Sequence, residues 1–220
     1  MPFGEIISIL LEGALVTLKI VALALPLAAV MAFGFGMLRL YAPKPIKYLA
    51  IIYIEFFRGT SALIQLYWIY FVLPFFGFSF DAMTAGVVAL GLNIGAYGTE
   101  VVRGAMASVP KGQYEAAVAL NFSSTQRLWR ILMPQALVNM IPPFGNLAIE
   151  LVKATSLVSL ITIADLTYRA KALADMTLQV TEIFAVVLVL YFLFAQVLAI
   201  GFRVLEKKLS RGLGRGGLGQ

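Results

Sequence analysis

The chain contains no cysteine and no histidine, and only 13% of its 220 residues are charged. The first absence excludes disulfides and thiol-based metal or redox chemistry. The second removes the commonest general base and metal ligand. No G-x-x-x-x-G-K-[ST] loop occurs, so the chain has no phosphate cradle of its own for ATP. No base stands beside a plausible nucleophile, and the chain reads as non-enzymatic, with no metal site. Soluble domains carry about 25% charged residues. Here 61% of residues are hydrophobic, and the mean hydropathy is +0.92. These values describe an integral membrane protein with four to six spans of ~20 residues each. The net charge of +6 is read as basic cytoplasmic loops rather than as a nucleic-acid surface.

The apolar run at about 13–38 is too long for a signal peptide and is taken as span 1. Three cations and two prolines follow between Arg39 and Lys47. The next apolar stretch holds Glu55 and Arg58, which are costly in lipid. It divides into a cytoplasm-facing helix, Ile46–Phe57, and span 2 at about 60–76. Glu55 and Arg58 stand at i,i+3, a spacing that allows an ion pair. Span 3, about 82–102, carries a stripe of small and polar residues, Asn93, Gly95, Tyr97, Gly98 and Thr99. That stripe suits either close helix packing or a pathway wall. Glu100 and Arg103 repeat the i,i+3 pattern near its end.

Span 4, about 134–157, contains Pro142 and Pro143 in succession, followed by Asn146, Glu150 and Lys153. Two adjacent prolines remove two helical donors and predict a break or strong kink. Irregular backbone at membrane depth is tolerated where it is buried in protein or lines a water-filled cavity. Glu150 either faces a cation in that cavity or pairs with Lys153. Thr155, Ser156, Asn93 and Tyr97 are further candidates for a pathway. Residues 157–179 read as an outer irregular or amphipathic segment, and span 5 as about 180–202. A basic, glycine-rich tail over 203–220 reads as partly disordered. The cytoplasmic segments hold three, four and five Lys and Arg residues, against two outside. This bias predicts an all-α membrane protein of five spans with the N-terminus out and the C-terminus in. No separate soluble domain fits beside the spans.

The loop between spans 3 and 4, residues 104–133, is the longest water-facing insert. Glu115, Ala116 and Ala117 begin a first helix ending near Leu120. Asn121 takes the left-handed position past its end. Ser123 and Gln126 fit a capping box for a second helix that ends at Met133 and Pro134. Leu128, Trp129, Ile131 and Leu132 give this second helix an apolar face. Such a face suits docking on a protein surface or resting on lipid headgroups, and the residues alone leave both open.

Glu115-Ala116-Ala117, three residues, Asn121, nine residues, then Ile131-Leu132-Met133-Pro134 is similar to the loop signature Glu-Ala-Ala-x3-Gly-x9-Ile-x-Leu-Pro of membrane permease subunits of bacterial ABC importers. Asn121 replaces the glycine and Met133 the leucine. Phe57-Arg58-Gly59-Thr60 with Gln65 resembles the R-G-T-P-x-x-x-Q entry of polar-amino-acid permeases, with Ser61 in place of proline. Tyr97-x-x-Glu100-x-x-Arg103-Gly104, the run from Val109 to Ala117, and Lys153-x-Thr155-Ser156-Leu157 resemble the same subfamily. Arg58 to Ser61 with Asn121 is similar to ectoine/hydroxyectoine permease subunits. The resemblance implies a bacterial inner-membrane permease of the type I ABC importer class, for a polar amino acid or related compatible solute. It implies a cytoplasmic ABC ATPase dimer holding ATP and Mg, a second permease subunit, and an extracytoplasmic solute-binding protein. No cofactor is expected on this chain. The loop becomes a coupling loop, with Glu115, Ala116, Ala117, Asn121, Ile131 and Pro134 at its contact with the ATPase. The competing expectations are an ATPase-independent carrier or channel, and a membrane scaffold.

Overall fold

The computed structural model describes residues 3–211, and every regular element among them is helical. Helix α1 spans Phe3–Tyr41 and α2 spans Lys44–Gly59. A bend of 106° then leads into α3, Ala62–Tyr67, which continues through a π turn, Trp68–Val72, and a 3-10 turn, Leu73–Phe76. Helix α4 spans Ala82–Ala107, with Asp81 capping its start by accepting from the Thr84 N–H at 3.1 Å. Helix α5 is Lys111–Ala119. A short helix α6, Ser124–Gln126, passes through a π turn, Arg127–Leu132, into α7, Met133–Ala154. A 3-10 stretch, Thr155–Ile161, leads to α8, Leu166–Thr177, and then α9, Val180–Arg211. Four helices are long and apolar enough to cross a membrane, or five if the bent α2–α3 pair counts as one.

The core is built on α1 against α4. Gly91, Gly95 and Gly98 face α1 at helical spacing, and a Cβ at Gly98 would sit 2.5 Å from the Ala32 Cβ. Without side chains there, the two backbones approach closely and pack by dispersion, which drives helix association in lipid. On α1 they meet Leu27, Ala28, Met31 and Ala32. The stripe of small residues in span 3 is therefore mostly packing. Helix α8 tucks its Leu166, Ala170, Leu173 and Ala174 against Ile6 and Leu10 of α1 and Ile183 and Val187 of α9. Arg169 pairs with Glu12 at 2.7 Å. Asp165 caps α8 through the Tyr168 N–H at 2.9 Å, and burial pushes its carboxyl up to about 6.

Three local expectations are corrected. First, Pro142 and Pro143 do not break span 4. Helix α7 passes through both, and the candidate span Ser124–Ile161 has no break. Pro142 points its ring outward, Phe144 stacks on Phe33 at 5.7 Å, and Gly145 lies under Phe202. Packing on both sides of the prolines holds the helix, and prolines are tolerated in membrane helices under such support. Second, the loop's second helix does not end at Met133 and Pro134. Pro134 cannot donate to the Arg130 carbonyl. The widened π turn, in which the Met133 N–H bonds to the Leu128 carbonyl, absorbs the misfit before α7 continues. Third, the tail is helical as far as Arg211, and the rest of the expected disorder, 212–220, lies outside the described residues.

Candidate functional site

The loop is a rigid joint. Helix α5 ends at Ala119, and Asn121 adopts φ 58°, the left-handed conformation its position requires. The Asn121 N–H bonds to the Val118 carbonyl at 2.9 Å, and the Phe122 N–H to the Ala117 carbonyl at 3.0 Å. Ser123 and Gln126 form the reciprocal capping box. Arg127 fastens the turn by donating to the Phe122 carbonyl and to Ser124 Oγ, each at 3.0 Å, with its guanidinium 5.1 Å from the centre of the Tyr114 ring. Beneath, Val109, Met133, Leu128 and Leu132 join Val102 and Ala136 in one apolar cluster. Leu128 and Leu132 thus face the chain's own core, and Ile131 is half-buried, so the outward face differs from the one expected. It consists of Tyr114, Val118, Leu120 and Trp129, all exposed, beside exposed Glu115 and Ala116. Ala117 is buried under them. Among the described residues, no hydrogen bond or ion pair engages the Glu115 side chain. An acidic group set among exposed apolar side chains on a braced turn is a surface suited to a partner's cleft.

The π turn makes the part of this joint from Ser124 one continuous helix with α7, and α7 carries an exposed stripe of one proline and three polar residues. Pro142, Asn146, Glu150 and Lys153 recur at i,i+4,i+8,i+11 and are all exposed. Asn139 sits one turn earlier and donates to Ser108 Oγ at 2.8 Å. Glu150 accepts from Lys153 Nζ at 3.0 Å, so of its two expected arrangements the ion pair is the one present. Polar groups on the outer face of a spanning helix do not face lipid. They face a partner or water. Thr155 and Ser156 are different in kind. Each returns its hydroxyl to a carbonyl three residues back, Val152 and Lys153, at 2.6 and 2.9 Å, and Thr155 is fully buried.

On α4, Asn93 is also an internal fastener. Its amide donates to the Phe57 carbonyl and to Gln65 Oε1, each at 3.0 Å. Gln65 donates to the Phe57 carbonyl at 2.9 Å and to Thr60 Oγ1 at 2.7 Å. These two side chains hold the α2–α3 bend. Tyr97, one turn beyond Asn93, is 40% exposed. Its hydroxyl reaches the Arg58 carbonyl at 3.4 Å, and the Arg58 guanidinium lies 5.5 Å from its ring centre. Arg58 does not pair with Glu55. It turns to Glu100 at 3.4 Å, where Arg103 donates at 2.7 Å and Arg39 of α1 also binds. The expected Glu100–Arg103 pair is thus part of a four-residue cluster drawn from three helices. Gln65 was visible in the sequence only as a motif residue, and Arg39 only as a loop cation. Their partners lie 28 and 61 residues away, beyond any local spacing rule.

Residues 14–211 match the family described as the binding-protein-dependent transport system inner membrane component. The chain is 45% identical over 217 residues to the probable amino-acid ABC transporter permease protein y4tF of Sinorhizobium fredii, covering 96% of this chain and 91% of that one. It is 36% identical over 206 residues to the glutamine transport system permease protein GlnP of Escherichia coli K12, covering 93% and 94%. Among solved structures it is similar to an amino acid ABC transporter crystallised with histidines, at 32% identity and a TM-score of 0.86, covering 94% of this chain and 99% of that one. The chain belongs to the family of binding-protein-dependent inner-membrane transport components and is a multi-pass membrane protein.

Proposed function

We propose that this chain is the permease subunit of a type I ABC importer that carries a polar amino acid or related solute into the cytoplasm. The relatives are named for amino-acid, glutamine and L-cystine transport, which favours an amino acid. Ectoine stays a candidate solute on the strength of Arg58 to Ser61 and Asn121 alone. The bent α2–α3 pair counts as one span, giving five, with the N-terminus out and the loop and C-terminus in. The excess of Lys and Arg on the loop side supports that orientation. A partner ATPase dimer binds Mg and ATP, a second permease subunit completes the pathway, and a solute-binding protein delivers from outside.

The observation that carries this reading is continuity. The braced turn that follows Glu115, Ala116 and Ala117 and contains Asn121 leads at Ser124 into a helix that runs without a break through Ile131 and Pro134 to the outer face carrying Asn146 and Glu150. A displacement of the loop by a closing ATPase passes through the braced Asn121 turn and then reaches the polar stripe along one helix from Ser124. Glu115→Arg reverses charge at an exposed position where nothing in the chain depends on it. Expression and membrane insertion should be unchanged, while uptake and solute-stimulated ATP hydrolysis by the reconstituted transporter fall to background. Uptake that persists without any ATPase would establish the carrier reading instead.

A further inference from the structure

We infer that Arg39, Arg58 and Arg103 form a water-filled, anion-selective site in the cytoplasmic half of the pathway, which takes the carboxylate of the moving solute while Glu100 occupies it at rest. This rests on the permease reading and adds a site to it.

The first ground is depth. A helix of 26 residues is about 39 Å long against a hydrocarbon layer of ~30 Å, so a centred α4 overhangs by about 4–5 Å at each end. Glu100, about 10 Å before the end at Ala107, therefore falls within the hydrocarbon zone. The second ground is exposure. The side chains of Arg39, Arg58, Arg103 and Glu100 are 24, 35, 45 and 23% exposed, so the chain does not bury them. Charged groups at membrane depth that are not enclosed by protein face a water-filled cavity. A cavity of about 440 Å³ opens beside Glu100, the carboxylate of the cluster, and is bounded by Gly104 and Ser108 and by Asn139 and Pro143 of α7.

The third ground is charge. Three guanidinium groups share one carboxylate, leaving two positive charges without a counter-charge among the ion pairs of the described residues. Arg58 is the least satisfied. Its contact with Glu100 is long at 3.4 Å, and its Nε is buried with no acceptor. A planar guanidinium is built to receive a carboxylate through two parallel N–H bonds, a geometry Glu100 leaves unfilled at Arg58. Tyr97 stacks on Arg58 and holds the fork in place. A second carboxylate entering here exchanges with Glu100 without any proton transfer.

The chain has no cysteine, so an introduced one is its single thiol, and modification is read on this chain by its intact mass. A Cβ added at Gly59, next to Arg58, or at Gly104, on the cavity wall, meets nothing within 4 Å. In the assembled transporter in nanodiscs, Gly59→Cys is treated with sulfonatoethyl and trimethylammonioethyl methanethiosulfonate, each rate corrected by that with glutathione. The anionic reagent should react about tenfold faster. Adding Arg58→Gln should reduce that preference at least about threefold. Sodium acetate should slow the reaction more than equal sodium chloride, and equal slowing would overturn the carboxylate assignment. Modification by neither reagent, or without preference for the anion, overturns the site. Where Gly59→Cys fails to assemble, Gly104→Cys, on the wall of the cavity beside Glu100 and next to Arg103, is the second probe, and Arg103→Gln substitutes for Arg58→Gln. Uptake is measured on the same variants reconstituted into proteoliposomes. Lost selectivity with intact uptake sinks this site alone, and intact selectivity with no uptake sinks the permease reading.

Discussion

The bend between α2 and α3 contains no proline and turns the chain by 106°, whereas α7 contains two prolines in succession and runs on unbroken. The difference lies in where the freed backbone groups go. At the bend, Thr60 Oγ1 donates to the Phe56 carbonyl, and the Gln65 and Asn93 amides reach the Phe57 carbonyl. Side chains replace the helix's own donors, so a break is stable at membrane depth. In α7, Phe33 and Phe202 press the helix from neighbouring elements. A membrane helix breaks where partners for its carbonyls exist, and residue type alone does not decide it.

The sharpest way to break this contrast is Gln65→Leu. It strips the Phe57 and Thr60 carbonyls of a donor and leaves the Asn93 amide short of an acceptor, at a cost of about 3 kcal/mol. Thermal unfolding in detergent should show that loss, and a bend that survives unchanged would mean other forces set it. Gly145→Val drives a branched side chain into Phe202, whose Cβ lies 3.0 Å from where a residue-145 Cβ would be. Overpacking of this kind costs about 2 kcal/mol, and a neutral result would show that α9 does not brace α7. At the loop, Asn121→Val should cost about 1–2 kcal/mol in the left-handed conformation, with uptake reduced, while Asn121→Gly is tolerated. The smallest effect belongs to Pro142→Ala. Its ring is exposed, and the change should shift stability by no more than about 1 kcal/mol with uptake intact. A large gain would mean the proline strains the helix after all.

Much of the loop was legible because its determinants are local. Asn at a helix end specifies a left-handed turn, and Ser123 with Gln126 specifies a capping box. The division of the chain near Gly59 followed from the cost of Glu55 and Arg58 in lipid. The misreadings share one cause. The local rule for Pro142 and Pro143 was overridden by contacts with α1 and α9. Arg58 preferred a carboxylate 42 residues away to one three residues before it. Leu128 and Leu132 turned inward because α4 and α7 offer a cluster the loop sequence does not reveal. Of the suspected pathway residues, Asn93 and Thr155 proved to be internal fasteners, while Tyr97, Asn146 and Glu150 are on outer faces.

The central claim is that the Glu115 loop and the polar face of α7 move as one body. Inserting two glycines between Leu132 and Met133 interrupts the helix that joins them. In proteoliposomes containing the assembled transporter, the ATPase should still bind and hydrolyse ATP at its basal rate, while solute uptake falls at least about tenfold. Uptake at the unmodified rate, with the insertion confirmed, would contradict the account.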